Sequence, residues 1–428
     1  MPTLAIRGGA PARTRPFPAW PDYDEREEQA LLAVLKTRHW SSAPLYYRDD
    51  PTTSQVYQFE QEFATYHGVK RAVAVGSGTD ALHVAYRTAG VGLGDEVIIP
   101  CLTFIATASP ILQLGGVPIF VDVDAESRCI SPDAVEAAIT SHTKLIVPMH
   151  SGGHPADMDR LTEIARRHGI PIVADAAHAH GSEWRGKKLP AWAALSAFSL
   201  QQEKQVTPGE GGIILTDDDS LADLAYVYHN DGRGLGAEGS QFVAAGWNYR
   251  MSEFQAAIAR VQLSRLDALI ERKSANVATL SAKLEELGGG VRFPRSDPRI
   301  TRQSYLYPSL RYDAAKMHGV PAEAFAAALV AEGVPCGARS PVPLYRHPVF
   351  AERRFGPPGR AARIPHPAEA IDYAAVHCPV AEDLAGRGLS VPQEVLLGDE
   401  DTMAQVVTAF EKVIRQVDAL VAVGAHGS

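Results

Sequence analysis

The sequence predicts an α/β protein: a large domain built on a mostly parallel sheet, followed by a smaller α+β domain. Three observations carry this. From Arg71 to Asp175, short β-branched runs such as RAVAV, EVIIP and VPIFV alternate with amphipathic segments, the pattern of βαβ units. The runs are continuously apolar, which requires burial on both faces and therefore helices on both sides of a parallel sheet. Near residue 288 the texture changes, with GGG and a Pro-rich segment marking a boundary. A chain of 428 residues has room for two or three such units and for a large core without disulfide or metal staples.

The elements follow in order. Met1 to Asp22 is Pro-rich and irregular, and DEREEQALLAVLKTR then places apolar residues at helical spacing behind acidic ones suited to a helix N-terminus. Residues 1–54 thus form an N-terminal arm, a helix and a loop, 55–288 the large domain and 289–428 the small one. Within the large domain RAVAVGS, DEVIIP, VPIFVDVD, KLIVPMH and PIVADAA read as strands, with helical segments such as TDALHVAYRTAG and DMDRLTEIARRHG between them. SAFSL and GGIILTD follow as further strands, and Met251 to about Leu287 carries one long helical pattern. In the small domain SYLYPSLRY reads as a strand, and EAFAAALVAEG and DTMAQVVTAFEKVIRQVDALVA as helices. There is no internal repeat, and the terminal GAHGS reads as disordered.

Composition excludes several functions. With 46% hydrophobic residues, 21% charged residues and a formal net charge of −9, the chain lacks the basic surface that nucleic acid or an acidic membrane attracts. No stretch approaches a membrane span, and no apolar segment follows the basic residues of the N-terminus. Cys101, Cys129, Cys336 and Cys378 lie far apart with no C-x-x-C pair, which suits reduced thiols in a cytoplasm rather than disulfides or a zinc site. His178 and His180, two apart, are poor co-ligands, so no metal is expected.

Three segments carry chemistry. In SGTDAL, Ser77 to Leu82, a strand turns into a helix: Gly78 permits close backbone approach, and Thr79 offers a hydroxyl and a helix-terminal N–H to a phosphate. In VADAAHAHG, Asp175 ends a buried strand at the sheet edge where α/β proteins bind ligands, and a carboxylate buried there needs a partner. In SAFSLQQEKQVTPGEGG, Lys204 stands between two strands ahead of a glycine-rich stretch; lysine is the side chain that condenses with carbonyls when its pKa is lowered. Singly these read as a capped turn, an N-cap and a surface lysine. Together, in this order on a parallel sheet, they meet the needs of pyridoxal phosphate: an anion site, a carboxylate for the pyridine nitrogen and an amine.

With these residues the sequence resembles the fold-type I aminotransferases and, within them, the DegT/DnrJ/StrS sugar aminotransferase family. The similarity runs over almost the whole chain: LAIRGGAPARTRPFPAWP, SGTDAL, GDEVIIPCLTFIATASP, PADMD, ADAAHAHG, FSLQQEK with TPGEGG, and GWNYRMSEFQAAI. The resemblance implies that Lys204 is the Schiff-base lysine, Asp175 the partner of the pyridine nitrogen, and Gly78, Thr79 and Ser199 the phosphate-binding positions. It implies further that Phe104 stacks on the cofactor ring, that His178 lies beside it, and that Asn248 reaches the phosphate of a neighbouring subunit, hence a homodimer with shared sites. Relatives acting as sugar dehydratases carry histidine where this chain has Lys204, so the lysine points to transamination.

For the acceptor, SLQQEK, PLYRHPVF and SVPQEVLLGDE look closest to the branch that aminates keto-cyclitols such as scyllo-inosose with L-glutamine (or L-glutamate) in aminoglycoside or other secondary-metabolite pathways. Enzymes of nucleotide-linked sugars, the aminohydroxybenzoate branch, and oxidative or carbon–carbon-cleaving chemistry on the same scaffold are the alternatives. A cyclitol would be read by neutral or singly charged hydrogen-bonding groups, with Tyr46, Tyr47, Arg48, His150, Tyr305 and Tyr345 as candidates. Three departures from the family pattern stand out: Glu203 beside the lysine, expected to face solvent; Ser151, Gly152 and His154 in place of a bulkier HLYGQ-like sequence; and KKLPAWAALS before the FS strand.

Overall fold

The continuous apolar runs become the strands expected of them. The computed structural model describes residues 2–43, 50–235, 241–295, 297–338, 342–355, 366–384 and 386–421. Strands β1 (Arg71–Val75), β2 (Glu96–Pro100), β3 (Val117–Val121), β4 (Thr143–Ile146) and β5 (Val173–Asp175) are followed by a short hairpin, β6 (Glu183–Trp184) and β7 (Lys187–Lys188), and then by β8 (Leu195–Ser199) and β9 (Gly212–Thr216).

Pairing joins them in the order β3-β2-β4-β5-β8-β9-β1, with β4 and β5 linked through parallel bridges at Ile146–Ile172 and Met149–Asp175. Only β9 runs against the others, antiparallel to both β8 and β1. Both faces are covered, as continuous hydrophobicity requires. Val73 and Val75 of β1 pack into one cluster with α3 (Gly78–Thr88), while Ala72 and Ala74 pack into another with Phe59 and Phe63 of α2 (Gln55–His67).

The long helical pattern of Met251–Leu287 divides. Before it come α1 (Glu25–Thr37), α4 (Ser109–Gln113), α5 (Pro132–Ala138), α6 (Met158–His168) and α7 (Asp219–His229); the pattern itself yields α8 (Glu253–Leu263) and α9 (Leu266–Glu286). Two interactions, one local and one distant in the chain, mark the break at Ser264–Arg265. Ser264 Oγ donates back to the Val261 carbonyl at 2.6 Å, and the Arg265 guanidinium is drawn to Asp24 and Glu27 at the capped start of α1.

A second, antiparallel sheet follows in the order β10-β12-β14-β13: β10 (Val291–Arg292), β12 (Ser309–Tyr312), β13 (Gly337–Ala338) and β14 (Gly388–Ser390), while β11 (Ile300–Arg302) pairs with β6. Helix α10 (Ala322–Ala331) and the helix Glu400–Arg415 cover it. The N-terminal arm belongs to this layer. Leu4 is part of its apolar cluster, and buried Glu332 accepts from the Ala5 and Ala12 N–H groups while pairing with Lys412 at 2.8 Å. The division at residue 288 stays a proposal, and apolar packing crosses it. Val277, Leu280 and Leu284 of α9 pack with the second sheet, whereas Leu344, Tyr345, Phe350 and Tyr373 pack against the first.

Candidate active site

A cavity of about 730 Å³ opens over the C-terminal ends of β1, β2, β5 and β8, the edge where ligands bind in parallel α/β sheets. Its floor is set by the strand ends. Its roof comes from the chain between Gln303 and Ser309, from Arg311 on β12 and from Ser390 on β14.

Gly78, Thr79 and Ser199 line one end together. Ser77 caps α3 by accepting from the Asp80 N–H at 3.1 Å, and the first hydrogen bond up the helix comes from the Ala81 N–H to the Ser77 carbonyl. The N–H groups of Gly78 and Thr79 are therefore first-turn donors without intrahelical acceptors, suited to an anion. Gly78 cannot be larger: a Cβ there would lie 2.6 Å from Ser199 Cβ.

Asp175, only 4% exposed, accepts from Thr107 Oγ1 at 2.7 Å and from the Ala177 N–H at 3.2 Å. Burial pushes its pKa up, against those hydrogen bonds and the nearby Lys204 charge, so a cationic partner would hold it ionised. Lys204 is 8% exposed, with Nζ 5.2 Å from the Tyr307 ring centroid. Burial lowers its pKa, and the charges of Asp175 and Glu203 oppose that shift. A buried carboxylate, a lysine biased toward its neutral form and a helix-terminal anion cradle around one cavity fit pyridoxal phosphate.

His178 also lines the cavity, its ring edge-on to Tyr307 at 5.0 Å, and its Nδ1 accepts from the Gly152 N–H at 3.3 Å, which leaves Nε2 to carry the proton. Phe104 lines it while 70% exposed. Asn248 is exposed and lies outside the lining, bridged to Asn230. Glu203 is exposed as expected, yet it sits at the cavity rim, where Tyr307 donates to it at 2.5 Å.

Of the proposed substrate contacts, Tyr305 lines the cavity, at φ +49. Two do not. His150 is wholly buried with Nδ1 accepting from the Ala156 N–H, and burial pushes its pKa down to about 3. Tyr345 is a core residue that packs on Phe120 and donates to Glu382 at 2.6 Å. Neither ring lines the cavity, because both side chains are buried in the core. Tyr46, Tyr47 and Arg48 lie outside the described residues.

The glycines of the Ser151–His154 departure have a structural cause. A Cβ on Gly152 would lie 2.7 Å from the Tyr307 carbonyl oxygen, and one on Gly153 2.4 Å from Ser304 Oγ. Both have positive φ, and Gly152 accepts from the Leu306 N–H at 3.0 Å. Small residues here let the 303–308 segment cross close enough to set Tyr305 and Tyr307 in the cavity.

Sequence reasoning missed Thr107, Tyr307, Arg128 and Arg311. Thr107 lies in the FIATASP segment with a spacing that carried no signal, and the other three reach the site through the tertiary fold. Among the described residues, Cys101, Asp122 and Cys378 have metal-ligand proximity, but both oxygens of Asp122 already accept N–H groups, from Val380 and Ala381.

A model of the DegT/DnrJ/EryC1/StrS aminotransferase family matches residues 22–411. The chain belongs to this family. Members with known activity are similar over nearly their whole length: L-glutamine:2-deoxy-scyllo-inosose aminotransferase of Streptomyces fradiae is 39% identical, covering 96% of this chain and 97% of the relative. L-glutamine:scyllo-inosose aminotransferase of Streptomyces griseus is 35% identical, covering 97% and 98%. Among solved members, 3-amino-5-hydroxybenzoic acid synthase superposes with TM-score 0.80 at 33% identity, covering 95% of this chain and all of that one. The protein is an aminotransferase with the family fold, and its cofactor is pyridoxal phosphate.

Proposed function

We propose that the protein moves the amino group of L-glutamine to the ketone of a cyclic polyol, scyllo-inosose or its 2-deoxy form, in aminoglycoside or related secondary metabolism. The observation that carries this is 39% identity, end to end, to an enzyme named for that reaction. The cavity suits it: tyrosines, histidine and serines line its roof end, groups that exchange hydrogen bonds with ring hydroxyls.

In this reading Gly78, Thr79 and Ser199 hold the cofactor phosphate, Asp175 its pyridine nitrogen, and Lys204 its aldehyde carbon between turnovers. Pyridoxal phosphate supplies an electron-withdrawing ring that stabilises negative charge on the substrate carbon. Lys204 would be the group that holds and moves a proton at the reacting carbon, and its burial favours the neutral amine this needs. Asp175, fixed by Thr107, would offer a buried counter-charge to a protonated ring nitrogen. His178, held by the Gly152 N–H, would help position the ring.

A homodimer completes this reading. Phe104 at the cavity, Trp247 and Phe242 are large apolar side chains left 70%, 60% and 66% exposed in one chain, and Asn248 adjoins Trp247 outside the lining. A partner would cover these rings and bring Asn248 to its own phosphate site. Among the described residues no helix is long and apolar enough to cross a membrane. The four cysteines are free thiols, which suits the reducing conditions of a cytoplasm.

The test uses the cofactor-loaded protein with L-glutamine labelled with ¹⁵N at the α-amino group and scyllo-inosose or its 2-deoxy form. Mass spectrometry is expected to find the label in an aminocyclitol. Label in a nucleotide-linked amino sugar instead, with neither cyclitol aminated, would overturn the assignment.

A further inference from the structure

Two buried arginines stand at the roof end of the cavity, away from the strand-edge residues assigned to the cofactor. Arg128 lies on the turn between β3 and α5, Arg311 on β12, and both line the cavity while only 8% and 9% exposed. Each has one protein anchor: Arg128 Nη1 donates to Ser309 Oγ at 2.8 Å, and Arg311 Nη2 donates to the Glu126 carbonyl. Among the described residues, Nε and Nη2 of Arg128 and Nε and Nη1 of Arg311 are buried without an acceptor.

Among the described residues neither arginine forms an ion pair with a carboxylate, although the charges of Glu126 and Asp124 both reach Arg311. Glu126, whose charge reaches Arg311, is held by both terminal nitrogens of Arg292 and by the Arg295 N–H. Burial, and secondarily the charge of Arg311, pushes the Arg128 pKa down to about 10, as expected of like charges enclosed together. Arg128 also adopts φ +61, a left-handed backbone that non-glycine residues seldom occupy. Buried guanidinium N–H groups left without acceptors are strongly unfavourable, and an anion between them removes both penalties.

We propose that Arg128 and Arg311 form a carboxylate subsite that takes the α-carboxylate of the amino donor. The choice of donor over acceptor rests on the proposed reaction, in which the cyclitol carries no anion and L-glutamine does. The planar fork of a guanidinium pairs with a carboxylate through two parallel hydrogen bonds, and two forks fix its plane. The subsite thereby orients the donor's reacting carbon toward Lys204 and is then vacated for a neutral ketone.

The test compares L-glutamine with its α-amide, which keeps the amine and loses the negative charge. With the cofactor-loaded protein, the dissociation constant of each is read from the spectral change of the donor half-reaction. Calorimetric titration with glutarate gives a readout independent of turnover. The native protein is expected to prefer L-glutamine over the amide by about 10- to 100-fold. Arg128→Gln and Arg311→Gln should remove most of that preference and the glutarate heat, leave KM for scyllo-inosose unchanged, and Arg311→Lys should restore part of it. Circular dichroism checks that each variant folds, and the native protein's own discrimination tests the idea if one does not.

Intact preference for L-glutamine in both Gln variants, or no preference in the native protein, would overturn the subsite even if cyclitol is aminated. Loss of affinity for a carboxylated ring ketone, with L-glutamine unaffected, would assign the arginines to an acceptor and overturn the donor role. Failure to aminate any cyclitol, with the arginine-dependent preference for L-glutamine preserved, would refute the proposed acceptor and sustain the subsite.

Discussion

At the proposed cofactor end of the cavity, Gly78, Asp175, Ser199 and Lys204 lie at or just beyond the C-terminal edges of β1, β5 and β8. At the roof end, Arg128, Gly152, Tyr305, Tyr307 and Arg311 come from loops and from the second sheet. The first end is a local property of the chain, a strand followed by the residue proposed to do the chemistry. The second exists only once two sheets are packed against each other. A parallel sheet thus supplies a fixed binding edge, while selectivity is added by chain segments that cross above it.

The sharpest break between the two ends should come from the residues nearest the chemistry. Lys204→Ala and Asp175→Asn are each expected to lower the single-turnover rate by about 10³-fold or more, with the circular dichroism spectrum unchanged; near-native rates in either would remove that residue's role. Next in size, Gly78→Ala forces a Cβ to within 2.6 Å of Ser199 Cβ. Overpacking of this kind costs about 1–3 kcal/mol; equilibrium dialysis should show it as weaker cofactor binding, with the ketone KM measured at saturating cofactor unchanged.

Gly153→Ala probes the roof end in the same way, because its Cβ would meet Ser304 Oγ at 2.4 Å on a backbone with φ +93. The expected result is a rise of about tenfold in KM for the ketone with cofactor affinity within twofold; a change in cofactor affinity alone would show that the ends are not separable. The smallest effect concerns the rim. Glu203 raises the Lys204 pKa by its negative charge, so Glu203→Gln lowers that pKa. Activity that requires neutral Lys204 then extends to lower pH, with the acid limb of the kcat/KM profile for the ketone, which meets the enzyme with Lys204 released, moving to lower pH. A shift to higher pH would contradict the sign.

The same contrast explains what the sequence made legible. Strands β1 to β5 and the motifs at their ends were readable because hydrophobic runs and the residues that follow them are contiguous. The break between α8 and α9 was not, since the periodicity continues through it and the cause, Arg265 reaching Asp24 and Glu27, lies some 240 residues away in the chain. His150 and Tyr345 looked like recognition residues because their polar atoms are visible in the sequence and their burial is not. Tyr307, Arg128 and Arg311 escaped notice for the converse reason: ordinary residue types outside any motif, gathered by tertiary packing. Ser151–His154 departs visibly from the family pattern, and the crossing of residues 303–308 over it gives the physical reason.

The separation of the two ends is tested most directly by one crossed measurement: the dissociation constants of pyridoxal phosphate and of L-glutamine in Ser199→Ala and Arg311→Gln, each against the native protein. Weakened cofactor binding with native donor affinity in Ser199→Ala, and the reverse in Arg311→Gln, is the predicted result. Arg311→Gln losing cofactor as severely as Ser199→Ala, with donor affinity unchanged, would contradict it.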